Sequence, residues 1–312
     1  MLESAFNGLS NKLKCNLYDT SYAYNMNNCL NTFISSQIYY KYQRLIQNEA
    51  EHKMFNGAIS EEIKMEEGPN RVKTGIPGFD ELCGGGLIRD RTYLVSGTSG
   101  AGKTNFSIQF IYNGITKYGE NGIIVATEER PEQIRENVLK FGWDLEELEE
   151  ENKLAIIDAC STKIGIPSQE KYVDIRPFDI RSLMDQIITT QEEIDAQRAL
   201  VDSTTSISFY LQDHAKIRVE LLKLSTTLEV IGLTSMMTCE IIDESSPSRF
   251  GVENFVTDGT IVLYYKRHEN VRMRSLEIYK MRGSDHSKKI HPYEITPGGF
   301  VIHPHEEVYS MF

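Results

Sequence analysis

The 312-residue chain is poor in cysteine, with five that stand far apart at positions 15, 29, 83, 160 and 239. None forms a C-x-x-C pair, which argues against a zinc ribbon, a redox motif or a disulfide scaffold and reads as a set of reduced cytosolic thiols. No run of about 18 or more apolar residues is present, the length a bilayer span needs. The first 30 or so residues also lack the basic start and apolar core of an export signal. The expectation is a cytoplasmic protein with no membrane partner. Positive charge is short as well: 33 Lys and Arg face 45 Asp and Glu, for a formal net charge of −12. A broad basic surface that neutralises many phosphates is not expected, so nucleic acid stays open as a partner only through local basic patches. What the chain does have is a hydrophobic share of 40% and enough length for one large α/β domain with an appendage.

The most informative stretch is Gly97-Thr98-Ser99-Gly100-Ala101-Gly102-Lys103-Thr104, a complete G-x-x-x-x-G-K-[ST] pattern. It follows the apolar residues Tyr93, Leu94 and Val95 and opens a helix-like segment, the context that gives the pattern its meaning. Glycines let consecutive main-chain N–H groups turn inward as an anion cradle, and the helix adds its positive dipole end beneath the phosphates. Lys103 would reach the terminal phosphates of a nucleoside triphosphate and the Thr104 hydroxyl would ligate Mg²⁺.

Residues 1–64 differ from the rest, being rich in Asn, Ser and Tyr, and read as an appendage that is partly helical or disordered. A short helix is expected over residues 39–46, its tyrosines serving as packing groups rather than as a platform for stacked bases. Met65, before Glu66-Glu67-Gly68-Pro69-Asn70, marks the start of a second domain over residues 65–312, and even an alternative translation start. Within that domain, short apolar runs at 93–95, 123–126, 154–157, 199–201 and 230–234 alternate with segments whose apolar residues recur every three or four positions. This is the pattern of a mostly parallel sheet buried on both faces and flanked by helices. Beyond about residue 258, strand-like segments at 260–265, 273–279, 293–295 and 300–302 predict an antiparallel extension.

A cradle only holds nucleotide; hydrolysis needs one carboxylate to orient water and another in the magnesium shell. Asp202 ends the run Ala199-Leu200-Val201 in the form of a Walker B element, where it would hold the metal, through water. Glu128 and Glu129 end the run at 123–126, at the carboxyl edge where α/β sheets bind ligands. They also precede Pro131 and so favour a helix start. A third cluster, Lys280-Met281-Arg282-Gly283-Ser284-Asp285-His286, puts two cations two residues apart on an extended segment, where both can reach one phosphate.

Residues 72–304 resemble a single KaiC-type domain of the RecA superfamily of ATPases. The resemblance is carried by Thr74-Gly75-Ile76-Pro77-Gly78-Phe79-Asp80-Glu81-Leu82 before Gly84-Gly85-Gly86, by the cradle, and by Thr127-Glu128-Glu129 and Val201-Asp202-Ser203. The segment from Gly251 to Gly259 and the Lys280-x-Arg282-Gly283-x-x-His286 motif complete it. It implies a RecA-like P-loop core, ATP and Mg²⁺ as ligands, and slow hydrolysis with a catalytic glutamate at Glu128 or Glu129 beside Lys103. It also implies a ring of copies, usually six, with an unidentified protein partner reading out a regulatory state. Lys280, Met281, Arg282, Ser284 and His286 would serve the nucleotide of the neighbouring copy. Rival expectations are a nucleotide-sensing assembly subunit with little hydrolysis and a RecA/RadA-type DNA recombinase paralogue. The chain carries one cradle where the best-known member has two domains, so autophosphorylation and circadian timing do not carry over. Asp285 sets an acid beside the trans cluster, and the appendage has no counterpart in the family. A chain expressed from Met65 is expected to stay soluble and bind nucleotide; its loss to the pellet on sedimentation would make the appendage integral.

Overall fold

The computed structural model describes residues 69–176, 179–209, 211, 213–242, 246–306 and 308; the expected appendage and its helix lie outside these residues. A ribbon of β1 (Arg71–Val72) and β2 (Leu87–Ile88) brackets the short helix α1 (Phe79–Leu82). The main alternation follows: β3 (Thr92–Gly97), α2 (Lys103–Tyr118), β4 (Gly122–Ala126), α3 (Pro131–Leu139), α4 (Leu145–Glu150), β5 (Leu154–Asp158) and β6 (Tyr172–Val173). It continues with α5 (Ile180–Ile194), β7 (Arg198–Asp202), α6 (Thr204–Ser208), α7 (His214–Val230), β8 (Thr234–Glu240) and α8 (Glu253–Val256). Four strands close the domain: β9 (Gly259–His268), β10 (Val271–Met281), β11 (His291–Thr296) and β12 (Gly299–Ile302).

These strands form a 10-stranded sheet in the order β12-β11-β10-β9-β3-β8-β7-β4-β5-β6. From β9 to β6 every neighbour is parallel, so β9, which the sequence pattern assigns to the antiparallel extension, instead joins the parallel sheet beside β3; β10, β11 and β12 are added antiparallel, as that pattern predicts. Both faces are covered. Val95, Ile124, Ile156, Leu200 and Leu263 pack with Phe106, Phe110 and Ile111 of α2, while the alternate residues Leu94, Ile123, Val125 and Val201 are buried on the other face. Ring pairs Phe79–Phe106 and Phe106–Phe300, with centroids 5.2 and 5.4 Å apart, tie α1 and β12 to α2 edge to face.

Strand β8 also differs from expectation, in its bounds. The run at 230–234 is not a strand: Val230 is the last residue of α7, and β8 begins only at Thr234. The sequence Thr-Ser-Met-Met-Thr-Cys-Glu reads as polar, yet Thr234, Ser235 and Thr238 are fully buried. Each hydroxyl has a partner: Thr234 Oγ1 accepts from the Asp90 N–H at 2.9 Å, Ser235 pairs with Thr92 Oγ1 at 2.9 Å, and Thr238 donates to Asp202. Satisfied hydroxyls are tolerated in a core that a hydrophobicity pattern assigns to apolar residues.

At the amino edge of the sheet, Arg198 is fully buried. Its guanidinium donates to Glu120 Oε2 (2.7 Å), the Phe110 carbonyl (2.8 Å) and the Lys73 carbonyl (2.8 Å), and lies over the Phe110 ring. Gly114 leaves it room, since a Cβ there would stand 2.4 Å from Arg198 Cδ and Nε. Burial works against Glu120 ionisation, but hydrogen bonds and charge from Arg89 and Arg198 together hold its carboxyl below the ordinary value of 4.5. A depressed folded-state value stabilises the fold above the unfolded value, and that contribution is lost as pH falls through the folded one. Stability is therefore expected to decline below about pH 4.5 with Glu120 contributing, and Glu120→Gln should flatten that acid limb in urea melts. Arg198→Met, which leaves Glu120 with Arg89 alone and takes the donor from the buried Phe110 and Lys73 carbonyls, should cost about 1–3 kcal/mol at neutral pH in the same measurement.

Candidate nucleotide site

All the carboxyl ends of the parallel strands meet on one edge, and the turn between β3 and α2 sits at its middle. Its main chain is wound tightly: the Ala101 N–H donates to the Thr98 carbonyl at 3.2 Å and the Phe106 N–H to the Gly102 carbonyl at 2.9 Å. Gly102, the residue before α2, is left-handed at φ 93°. A Cβ on it would stand 2.8 Å from Phe300 Cζ and 2.9 Å from Ile295 Cδ1, so this position needs glycine both for its dihedral and for its neighbours. The Tyr293 hydroxyl donates to the Ala101 carbonyl at 2.6 Å from beneath the loop. Thr98, Ser99 and Gly100 form the outer rim and Lys103 Nζ donates to the Thr98 carbonyl at 3.2 Å.

Facing this turn is a ring of oxygen donors. Thr104 Oγ1 donates to Asp202 Oδ2 at 2.8 Å, and Thr238 bonds to Asp202 Oδ1. Burial pushes the Asp202 carboxyl up, against those two hydrogen bonds. Hydroxyl and carboxylate oxygens converging beside a main-chain anion cradle form the donor set that suits Mg²⁺. Burial pushes the Lys103 ammonium down, while Glu240, Asp202 and Glu128 pull it back. Next door, just past the ends of β4 and β7, Thr127 and Ser203 exchange hydrogen bonds through Oγ1 of the first and the main chain of the second. Glu128 accepts from the Ser203 hydroxyl, and Glu129 Oε2 accepts from Asn137 Nδ2 at 3.1 Å.

The basic cluster is elsewhere. Strand β10 runs against β9, so Lys280 pairs with Thr260 and Met281 with Gly259, at the start of β9 and beside Tyr93 and Leu94 rather than Gly97. Leu94 to Gly97 is three residues, roughly 10 Å of strand, and it separates these cations from the cradle of their own chain. Lys280 Nζ donates to the Asn254 and Thr257 carbonyls at the end of α8, and Arg282 donates to the Phe255 carbonyl at 3.3 Å and lies 3.9 Å from Asp258. Met281 is buried. Ser284 donates to the Cys83 carbonyl and accepts from Arg71, so it is tied to the glycine-rich turn ahead of β2, and His286 Nδ1 lies 2.8 Å from the Ser287 carbonyl.

Three groups at the cradle escape sequence reasoning. Glu240, at the end of β8, pairs in register with Gly97 and leads the acids that act on Lys103. The apolar run at 230–234 ends short of β8, so no hydrophobic pattern points to Glu240. Tyr265 of β9 lies against Gly100, where a Cβ would contact its ring at 3.5 Å. Arg274, opposite it on β10, stacks over that ring at 4.2 Å. Both lie on a hairpin whose turn the sequence shows, but only its parallel pairing with β3 carries it past the cradle.

A strand, a left-handed glycine turn, a helix and an adjacent Walker B aspartate on a mostly parallel sheet define a P-loop nucleotide-binding protein of RecA type. Comparison with known proteins narrows this. The family described as ATPase: KaiC matches residues 72–307. The UPF0273 protein MJ1359 of Methanocaldococcus jannaschii is 42% identical over 236 residues, covering 75% of this chain and 96% of that one. The circadian clock oscillator protein KaiC of Synechococcus elongatus is 42% identical over 235 residues, 75% of this chain but 44% of its own length. The chain thus spans less than half of the clock proteins it matches. The crystal structure of the KaiC-like protein PH0186 from Pyrococcus horikoshii superposes with a TM-score of 0.66 at 39% identity, covering 76% of this chain and all of that one. The chain belongs to the KaiC family of ATPases. Among the described residues no helix is long and apolar enough to cross a membrane.

Gly102→Ala should lower stability by about 1–3 kcal/mol through the strained dihedral alone, read as a reduced urea midpoint, and should remove binding of a fluorescent ATP analogue.

Proposed function

We propose that this chain hydrolyses ATP slowly at a site completed by a second copy of itself, in a cytoplasmic ring. The observation that carries the reading is the placement of Lys280 and Arg282 on the sheet edge opposite their own cradle. Cations so placed cannot neutralise the phosphates their own chain binds, whereas they lie where a cradle docked against that edge would meet them. The KaiC family resemblance of the same motif supports this use.

In the proposed site, residues 97–102 and Lys103 hold the phosphates, and Thr104 and Asp202 hold Mg²⁺, Asp202 through water. Bound there, Mg²⁺ would offset charge on the phosphate oxygens. Glu128 or Glu129 orients the attacking water and accepts its proton. Lys280 and Arg282 of the adjoining copy meet the charge that develops on the γ-phosphate, with Met281, Ser284 and His286 lining the same nucleotide. Phosphate release then removes their partner, so turnover changes the fit between copies and gives a protein partner something to read.

A nucleotide-sensing role with little hydrolysis has one observation in its favour: in this arrangement Glu128 is engaged by Ser203 and Glu129 by Asn137. One variant separates the readings. Changing Glu128 and Glu129 together to Gln should abolish phosphate release while ATP still binds; unchanged release would remove both from the chemistry. For action between copies, a mixture of Lys103→Ala and Arg282→Ala proteins should regain part of the activity each lacks. Mixtures that stay inactive although mass measurement shows subunit exchange would count against it.

A further inference from the structure

Lys163 stands outside every motif considered so far. It lies in the 3-10 turn Ser161–Ile164 that follows β5. Asp158 pins that turn, its Oδ1 accepting from the Cys160 and Ser161 N–H groups at 3.0 and 2.9 Å. Burial, ahead of hydrogen bonding, acts to raise the Asp158 carboxyl, but the donors of Ser161, Ser168 and Cys160 together hold it below the ordinary carboxylate range, so the pin stays charged. From there Lys163 Nζ reaches back over the sheet edge and donates to Ser206 Oγ at 3.2 Å. Ser206 Oγ donates in turn to the Thr127 carbonyl at 3.0 Å, and Cys160 Sγ lies 3.3 Å from the Glu128 carbonyl. The main chain on either side of the Thr127–Glu128 peptide is thus held from the β5 side.

The electrostatics give this contact a purpose. Glu128, Glu129, Asp202 and Glu240 crowd the edge around Lys103, and four carboxylates so placed repel one another. The groups that act on Lys163 are Cys160, Asp174 and Glu128, while burial pushes its ammonium down. Asp174 is buried and already accepts from Ser182 Oγ at 2.8 Å and the Arg176 N–H at 3.3 Å. Glu128 is exposed at the edge, with the Ser203 hydroxyl on its Oε1.

We propose that Lys163 is a positioning residue for ATP hydrolysis, holding the Thr127–Glu128 segment through Ser206 and setting a fixed positive charge behind the Glu128 carboxylate. The charge offsets the repulsion that would drive Glu128 away from its acidic neighbours and from the water it orients. This rests on the reading of Glu128 as the water-orienting carboxylate.

The test uses the full chain, with phosphate release and binding of a fluorescent ATP analogue measured in parallel. Lys163→Met should lower kcat by about 10- to 100-fold, the range a misplaced catalytic group costs, with analogue affinity unchanged within about twofold. Lys163→Arg should recover most of the loss, and ethylammonium added to Lys163→Ala should raise its turnover, neither of which a packing role provides. Ser206→Ala, a milder change, should lower kcat in the same direction. In a Glu128→Gln background Lys163→Met should cause no further loss, since the two act as one unit. Wild-type kcat in Lys163→Met, a loss that neither Arg nor the amine reverses, or additive effects in that background would overturn the proposal while leaving the role of Glu128 standing. Wild-type turnover in Glu128→Gln would instead overturn the role of Glu128 and the proposal with it.

Discussion

The fixing of helix α2 is the constraint on which the rest of the molecule depends. Anion binding by main-chain amides works only if the amides are in place beforehand, because reorganising them on binding would consume the stabilisation they supply. Here the helix is held along its whole length. Tyr293 and Phe300 of the antiparallel extension fix its start, Phe79 and Phe300 grip Phe106, and Asn113 Nδ2 donates to the Gly75 carbonyl at 2.9 Å. Near its end, Arg198 bonds to the Phe110 carbonyl and fills the space left by Gly114. Segments far from the nucleotide in sequence therefore work as the support of the cradle.

The glycine-rich motif ahead of the core has its explanation in the same constraint. Asp80 accepts from the Thr74 N–H and hydroxyl at 2.9 and 2.8 Å and from the Gly75 N–H at 3.3 Å, which folds residues 74–80 into a cap on α2. Phe79, carried by that cap, is fully buried against Phe106. What reads as a family signature is a device for seating one phenyl ring and one carbonyl on the helix.

Electrostatics divide the domain into two edges. The carboxyl edge gathers acids around Lys103; the amino edge holds Arg91, Lys280 and Arg282 around Asp258 and the carbonyls that end α8. Acids gather beside the cradle, and the cations of β10 and its following turn lie at the other end of the strands, out of its reach. In the proposed function, this separation is what gives one copy a use for another.

The cradle was legible because its donors come from eight consecutive residues, and main-chain geometry over so short a stretch follows from glycine placement. Asp202, Glu128 and Glu129 were legible as charges at the ends of apolar runs. β8 was not, because its hydroxyls are satisfied by Asp90, Thr92 and Asp202, partners remote in the chain, and Glu240 was lost with it. Tyr265, Arg274 and Lys163 carry no local mark of a site at all. By itself the sequence determined the alternation of strands and helices, the cradle and the acids near it, since each depends on neighbours a few residues away. Only the tertiary structure decided which strands lie side by side, and hence that Tyr265 meets Gly100, that Lys163 reaches Ser206, and that Lys280 and Arg282 lie away from the cradle of their own chain. Those outcomes depend on sheet order and strand direction, which are set by packing both faces of the sheet at once.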